Sequence, residues 1–161
     1  MRRPRVYRAG MNRSPPAAIA PETLKAEGWS VQQDLAGFSD HIAPFWFLAE
    51  GEALSTGFFV EAGHCNEHLG TLHGGAAMTF ADISGGFATA RALGHMRCAT
   101  LQLQCHFTAV ARIGEFVRCD VEIVRRTREI LFLRGLMRTA DRPVLSFDGI
   151  WKILTGRPSA G

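Results

Sequence analysis

The sequence lacks any uninterrupted run of 18 apolar residues, the length that a membrane-spanning helix requires. We therefore expect no membrane partner. The sequence also lacks a large excess of either sign of charge. It has 18 lysines and arginines and 15 acidic residues, so its net charge is +3. So small an excess does not argue for nucleic-acid binding. The apolar fraction of 47% and the charged fraction of 20% are typical of a soluble globular protein, and 161 residues suffice for one hydrophobic core.

Acidic residues are missing before Glu22, whereas five arginines lie within the first 13 positions. This leader has no apolar core and no small-residue cleavage site, which argues against a secretory signal. An Arg-rich, acid-poor leader is compatible with a mitochondrial presequence, but a disordered arm or a true start at Met11 is the simpler interpretation. We predict a flexible arm over residues 1–20, a single domain over 21–156 and a short tail over 157–161.

The 4 cysteines form no CxxC pair and lack the spacing of a small disulfide-bonded fold. Without an export signal they are expected to be buried thiols of a reducing compartment, so the cytoplasm is the expected location.

His64, Cys65, His68 and His73 are metal-ligating types, but their spacing matches no common zinc site. Neighbours such as His64 and Cys65 point to opposite faces of an extended segment, which disfavours a nucleophilic pair. We predict neither a metal nor another cofactor.

The longest predicted helix runs from Gly74 to about Leu93. Small apolar side chains cover almost every face of it, so we expect it in the middle of the fold. Gly85 and Gly86 each weaken such a helix by about 1 kcal/mol relative to alanine. Another element is therefore expected to pack closely against the helix backbone at these two positions.

Short extended segments precede this helix and longer ones follow it. A short helix from Pro21 to about Gly28 and a turn at residues 50–52 are predicted first. After the long helix the period changes from 3.6 to 2. In the first long strand one face is expected to point inward and the other outward: Leu101, Leu103, Cys105 and Phe107 against Thr100, Gln102, Gln104 and His106. Short connections predict an antiparallel meander, so the fold class is α+β, with an antiparallel sheet wrapped around one long central helix.

A glycine pair at the start of the long helix and a lone carboxylate further along it suggest chemistry. Unpaired N–H groups and the positive end of the helix dipole at Gly74 and Gly75 favour a phosphate or an oxyanion. The segment lacks the lysine of a Walker loop and the order of a GxGxxG motif. Asp82, among apolar neighbours, is either catalytic or a structural hydrogen-bond acceptor. Seven residues of helix separate Gly75 from Asp82 by about 10 Å. Joint action on one substrate would therefore require a two-fold dimer.

The motif HxN…GTLHGG followed by AMTFAD resembles the PaaI-like branch of the hotdog-fold acyl-CoA thioesterases. DHIAPFWF upstream and TLQLQCHF…ARIGE downstream are also similar to that branch, and the resemblance covers roughly Trp29 to Leu154. It implies a hotdog fold with five or six antiparallel strands around one helix. It further implies homodimers that usually pair into tetramers, and hydrolysis of an acyl-CoA substrate to the free acid and CoA.

The resemblance also implies roles for individual residues. The Gly75 amide would hold the oxyanion, and Asp82 from the partner subunit would act as nucleophile or general base. Thr100 would lie near the attacking water. His73 would support the loop by hydrogen bonding, and Gly74 would contribute to substrate binding.

The asparagine of the family departs from its usual position. It normally precedes the HGG histidine by six residues, whereas Asn66 lies seven before His73 and Glu67 occupies the usual place. Either the loop carries a one-residue insertion or Glu67 replaces the amide. A non-hydrolytic acyl-CoA or aromatic-ligand binding module therefore stays an alternative. A hotdog hydratase is disfavoured because no histidine follows Gly75 before His95.

Overall fold

The computed structural model describes residues 19–33 and 37–154. Almost all of the predicted arm (1–20) and the whole predicted tail (157–161) lie outside these residues, so the domain limits stay predictions. The helices and strands follow in the order α1 (Pro21–Ala26), β1 (Ser30–Gln32), β2 (Phe45–Glu50), β3 (Ala53–Phe59), α2 (Gly74–Leu93), β4 (Cys98–Phe107), β5 (Phe116–Arg126), β6 (Ile130–Arg138) and β7 (Pro143–Ile153). Both helices begin at the predicted residues.

All of the strands belong to one antiparallel sheet in the order β1-β2-β3-β5-β6-β7-β4. This confirms the α+β class and the hotdog arrangement. The sheet has seven strands rather than five or six, because the three-residue strand β1 pairs with β2. The predicted meander holds for β5, β6 and β7, but β4 pairs with β7 instead of β5. The connection after β4 crosses to β3, where the Val60 N–H donates a 2.9 Å hydrogen bond to the Glu115 carbonyl. β4 is consequently an edge strand.

Helix α2 packs against strands β3 to β7 of this sheet, as its pattern predicts. Phe80 and Ala81 are completely buried, and Gly94 ends the helix in the left-handed conformation. The core around them includes large side chains from four strands, namely Phe45, Phe58, Leu131, Phe147 and Trp151. Across residues 19–33 and 37–154, no helix combines the length and the apolar character needed to cross a bilayer.

The two glycines within α2 have different surroundings. A Cβ atom on Gly85 would lie 2.3 Å from the ring of Trp151, so only glycine lets this ring lie against the helix. The predicted close packing is therefore confirmed at Gly85. At Gly86 the same prediction is wrong, because a Cβ atom there would meet no atom of the described residues within 4 Å.

Strand β4 departs from strict alternation. Its register against β7 shifts between Thr100 and Gln102, which marks a bulge. Leu103 and Cys105 point inward as predicted, but Leu101 and Phe107 are 57% and 54% exposed, so their inward prediction is wrong. The bulge also turns Thr100 toward α2, although the alternation predicts it on the opposite face.

Candidate active site

The start of α2 is capped by the residue that precedes it. His73 has an extended backbone, and its Nδ1 atom accepts a 2.9 Å hydrogen bond from the Gly75 N–H. The imidazole therefore carries no proton on Nδ1. A Cβ atom on Gly75 would lie 3.0 Å from this nitrogen, so a side chain at this position would crowd the cap. The Gly74 N–H, by contrast, donates to no group within the described residues.

Two backbone hydrogen bonds hold this helix start against its surroundings. The His73 N–H donates to the His64 carbonyl at 2.8 Å, and the Leu72 N–H donates to the Ala111 carbonyl at the same distance. A Cβ atom on Gly74 would come no closer than 3.7 Å to the ring of Phe107, which is an ordinary contact. The first turn of α2 is thus fixed in place, while its Gly74 N–H has no acceptor among the described residues.

Asp82 and Thr100 lie together, as the resemblance implies. The Thr100 Oγ1 hydroxyl donates a 2.7 Å hydrogen bond to Asp82 Oδ1. Asp82 is half-buried, and both residues line an open cavity of about 210 Å³. Since Oδ1 accepts from Thr100, the second carboxylate oxygen remains available to a ligand or to water.

Three partly buried cysteines have raised pKa values. Burial raises the pKa of Cys98 and of Cys105, and the negative charge of Asp82 raises both further. Both thiols therefore stay protonated beside the carboxylate. Burial also raises the pKa of Cys65, whereas a nucleophilic thiol needs a lowered one. In the described part of the chain, no three His, Cys, Asp or Glu side chains are grouped so as to hold a metal ion.

A single chain does not bring the two halves of the candidate site together. α2 is one continuous helix from Gly74 to Leu93, so the seven-residue separation between Gly75 and Asp82 is retained. At 1.5 Å per residue this amounts to about 10 Å. The structure thus unites Asp82 with Thr100, and His73 with Gly75, as two separate groups.

Asn66 lies in a closed loop ahead of the helix. Its backbone N–H donates to the Thr71 carbonyl at 2.9 Å, and its side-chain Nδ2 donates to the same oxygen at 3.4 Å. The Glu67 side chain is 91% exposed. No hydrogen bond within the described residues joins Asn66 or Glu67 to Asp82 or Thr100. The role of Asn66 therefore stays a prediction.

Several residues of the cavity were missed by the motif. Ser39, Phe87, Met96 and Trp151 line the space beside Asp82. They come from a 3₁₀ turn, from α2, from the loop after it and from the last strand. Nothing in their spacing indicates that they meet, because the sheet order brings them together.

Comparison with known proteins agrees with this geometry. A family model described as the thioesterase superfamily matches residues 69–146. The chain is also similar to PA0474 of Pseudomonas aeruginosa, a predicted esterase, with 27% identity over 116 residues that cover 71% of this chain and 86% of that protein.

Solved structures share the fold. Zebrafish thioesterase superfamily member 2 has a TM-score of 0.67 at 19% identity, covering 75% of this chain and 89% of that one. A thioesterase from Streptococcus pneumoniae, solved with coenzyme A, has a TM-score of 0.62 at 17% identity, covering 71% and 91%. A mutant form of PaaI from Thermus thermophilus has a TM-score of 0.59 at 20% identity, covering 83% and 99%. At such identities the likeness establishes the fold.

The fold and the matched family segment define a class. The chain has the fold of the hotdog thioesterases, including PaaI, and its residues 69–146 match the thioesterase superfamily model, as the resemblance predicts. Its class of activity is thioester hydrolysis.

Proposed function

We propose that this chain hydrolyses acyl-CoA thioesters with small-to-medium or aryl acyl groups, at a site built by two copies of the chain. The observation that carries the proposal is the Asp82–Thr100 pair. A carboxylate held by a 2.7 Å hydrogen bond faces a cavity large enough for an acyl group. The coenzyme A in the pneumococcal thioesterase structure supports the choice of an acyl-CoA substrate.

The second copy is proposed because the carboxylate and the oxyanion donors of one chain are too far apart to act on the same substrate. Asp82 can attack or activate water, but the oxyanion donors at the start of α2 are about 10 Å away along the same helix. A two-fold partner would bring its own helix start to Asp82 and receive the reciprocal contact. Each dimer would then contain two equivalent sites.

Strand β4 supports this arrangement. It is an edge strand, so one row of its backbone N–H and C=O groups has no strand partner within the described sheet. Such an edge is a template for a strand of another chain. Leu101 and Phe107 on β4 and Met78 on α2 are 57%, 54% and 41% exposed. A partner along β4 would cover these apolar side chains.

The reaction proceeds in two stages. Asp82, or a water molecule that it deprotonates, attacks the thioester carbonyl, and the carbonyl oxygen becomes an oxyanion. We propose that this oxygen replaces His73 Nδ1 on the Gly75 N–H, with the neighbouring Gly74 N–H as a second donor. The tetrahedral species then collapses, the C–S bond breaks and CoA leaves as the thiolate, which takes up a proton. When water attacks, this collapse yields the free acid directly. When Asp82 attacks, it yields a mixed anhydride, which a water molecule then hydrolyses to the free acid and the regenerated carboxylate. A positioned base and an oxyanion donor each contribute about 100-fold or more in rate.

A cytoplasmic location belongs to the same proposal. All four cysteines are free thiols in the structure, which fits a reducing compartment. Tetramers remain a further expectation from the family.

A thiol-release assay over acyl-CoAs from acetyl to phenylacetyl and octanoyl tests the function. We expect turnover with the smaller or aryl members and none that depends on added metal. If the wild-type protein binds these thioesters without releasing CoA, the non-hydrolytic binding module replaces the enzyme.

The dimer is tested by sedimentation. Leu101→Glu places a charge on the exposed edge of β4 and should yield an inactive monomer. Val124→Glu is the matched control, because Val124 is also about half exposed, at 52%, but lies on β5. An active monomer would contradict the composite site.

A further inference from the structure

We propose that Gly86 sets the size of the acyl group that the enzyme accepts, by leaving open the wall of the cavity beside Asp82. The inference rests on the proposed function and adds a specificity-determining residue to it. Gly86 lines the same cavity as Asp82 and Thr100. It lies four residues after Asp82, one turn or about 6 Å further along the helix.

Packing among the described residues does not require glycine at this position. A Cβ atom on Gly86 would meet nothing within 4 Å, whereas on Gly85 it would lie 2.3 Å from Trp151. Glycine in a helix interior is unfavourable relative to alanine. Gly85 is explained by the tryptophan ring against it. The neighbouring Gly86 has no such explanation among residues 19–33 and 37–154, and it lines the cavity.

The wall around this space is rigid. The ring of Trp151 lies between two glycines, since a Cβ atom on Gly85 or on Gly149 would come within 2.3 Å of it. Trp151 is 1% exposed and therefore cannot turn aside easily. Cys98 also lines the cavity, with its sulfur 4.0 Å from the Gly86 carbonyl. Because burial and the Asp82 charge raise the pKa of Cys98, this wall stays uncharged. It therefore suits an apolar group.

The volume indicates what the cavity holds. It measures about 210 Å³, and an apolar cavity of about 150 Å³ is enough for one benzene molecule. The volume is therefore of the order that a phenyl ring with one or two methylene groups needs. An acyl group whose carbonyl is attacked at Asp82 would extend along α2 and reach Gly86 within its first few carbon atoms. A side chain at Gly86 would occupy that path.

The test compares Gly86→Ala and Gly86→Leu with the wild type on acetyl-CoA and phenylacetyl-CoA. Gly86→Leu should lower kcat/KM for phenylacetyl-CoA by at least about 10-fold relative to acetyl-CoA, since a single methylene can change discrimination by that much. Gly86→Ala should show a smaller shift in the same direction, while its urea-unfolding midpoint rises. Gly63→Leu is the matched control, because Gly63 also has open space around its Cβ position and does not line the cavity.

Two further measurements make each outcome decisive. Sedimentation of Gly86→Leu should show the wild-type oligomer. If turnover of both substrates is lost together with that oligomer, Gly86 serves subunit contact and the inference is overturned. Unchanged selectivity in an active variant overturns it as well. Calorimetric binding of non-hydrolysable ketone analogues of the two substrates separates this inference from the proposed function. A wild type that hydrolyses nothing refutes the function, whereas selective loss of the phenyl analogue in Gly86→Leu still supports the pocket.

Discussion

Thr100 Oγ1 lies 2.7 Å from Asp82 Oδ1 and donates a hydrogen bond to it, joining the strand after the central helix to the middle of that helix. The bond occupies one oxygen of a carboxylate that lines the cavity, and the other oxygen remains available to water or a ligand. A hydroxyl that donates to Asp82 also retains lone pairs that can accept from water. The pair can therefore hold both the carboxylate and a water molecule in position.

Replacing the carboxylate should abolish most of the activity without harming the fold. In Asp82→Asn the side-chain carbonyl still accepts from Thr100, but the amide neither attacks nor takes a proton. We expect kcat to fall by about 100- to 10,000-fold, with the urea midpoint nearly unchanged. Thiol release and urea unfolding measure the two effects. Turnover that survives the substitution would remove Asp82 from the mechanism.

Thr100 should contribute less than Asp82. Thr100→Val keeps the shape of the side chain and loses the hydroxyl, so the carboxylate is no longer oriented. We expect kcat/KM to fall by about 10-fold, the order of one hydrogen bond to a charged group. Thr100→Ser keeps the donor and is the matched control, which should retain most of the activity. Equal losses in Thr100→Val and Thr100→Ser would indicate a packing role for the methyl group instead.

The composite site predicts complementation between two inactive variants. Asp82→Asn removes the carboxylate, and Gly74→Val obstructs the helix start of the other half-site. In a re-equilibrated equimolar mixture, half of the dimers are mixed, and one of their two sites combines an intact Asp82 with an intact Gly74. Activity should return to about a quarter of the wild-type value. A mixture as inactive as its components would show that each site lies within one chain.

Much of the fold could be predicted because its elements have strong local signals. α2 starts at the predicted residue because Gly74 and Gly75 open an apolar run after His73, and it ends at a left-handed Gly94. The position of β4 was not predictable in the same way. Its pairing with β7 depends on where the segment after it crosses the sheet, and no local pattern records that crossing.

The candidate site, like the fold, could be predicted from the sequence only in part. Asp82 and Thr100 could be assigned together through the family motif, but the bulge that turns Thr100 toward the helix is set by pairing with β7. The motif also did not reveal that His73 Nδ1 occupies the Gly75 N–H. Gly85 and Gly86 look alike in the sequence, and only the position of Trp151 distinguishes a packing glycine from one that borders a cavity.

The hydrogen bond between His73 and the Gly75 N–H should contribute to the free energy of unfolding more than to catalysis. His73→Ala removes the acceptor for the Gly75 N–H and should lower the free energy of unfolding by about 1 kcal/mol. His73→Asn is the matched control, because asparagine is also a good N-cap and should recover most of the loss. Urea unfolding gives the difference. The loss of kcat/KM in His73→Ala should stay well below that of Asp82→Asn. A loss as large would assign His73 a direct part in the reaction.

The buried thiol of Cys119 should make the fold sensitive to alkaline pH. Burial raises its pKa from 9.0 to about 12, and the neighbouring hydroxyl groups of Ser84 and Thr56 offset only part of this rise. The unfolded chain releases this proton near pH 9, whereas the folded chain retains it, so the unfolded state binds fewer protons above that pH. Stability from this group is complete below pH 9 and is lost as the pH rises toward 12, by up to about 1.4 kcal/mol per pH unit.

Cys119→Ala isolates this contribution, because the other thiols, tyrosine and lysines titrate in both proteins. The variant should be less stable at pH 8, since it leaves a small cavity in the core. Between pH 9 and pH 11, however, its free energy of unfolding should fall less steeply than that of the wild type. Urea titrations at half-unit pH steps give both slopes. Parallel slopes would mean that Cys119 does not retain its proton in the folded state, and that the core around Thr56 and Ser84 admits water.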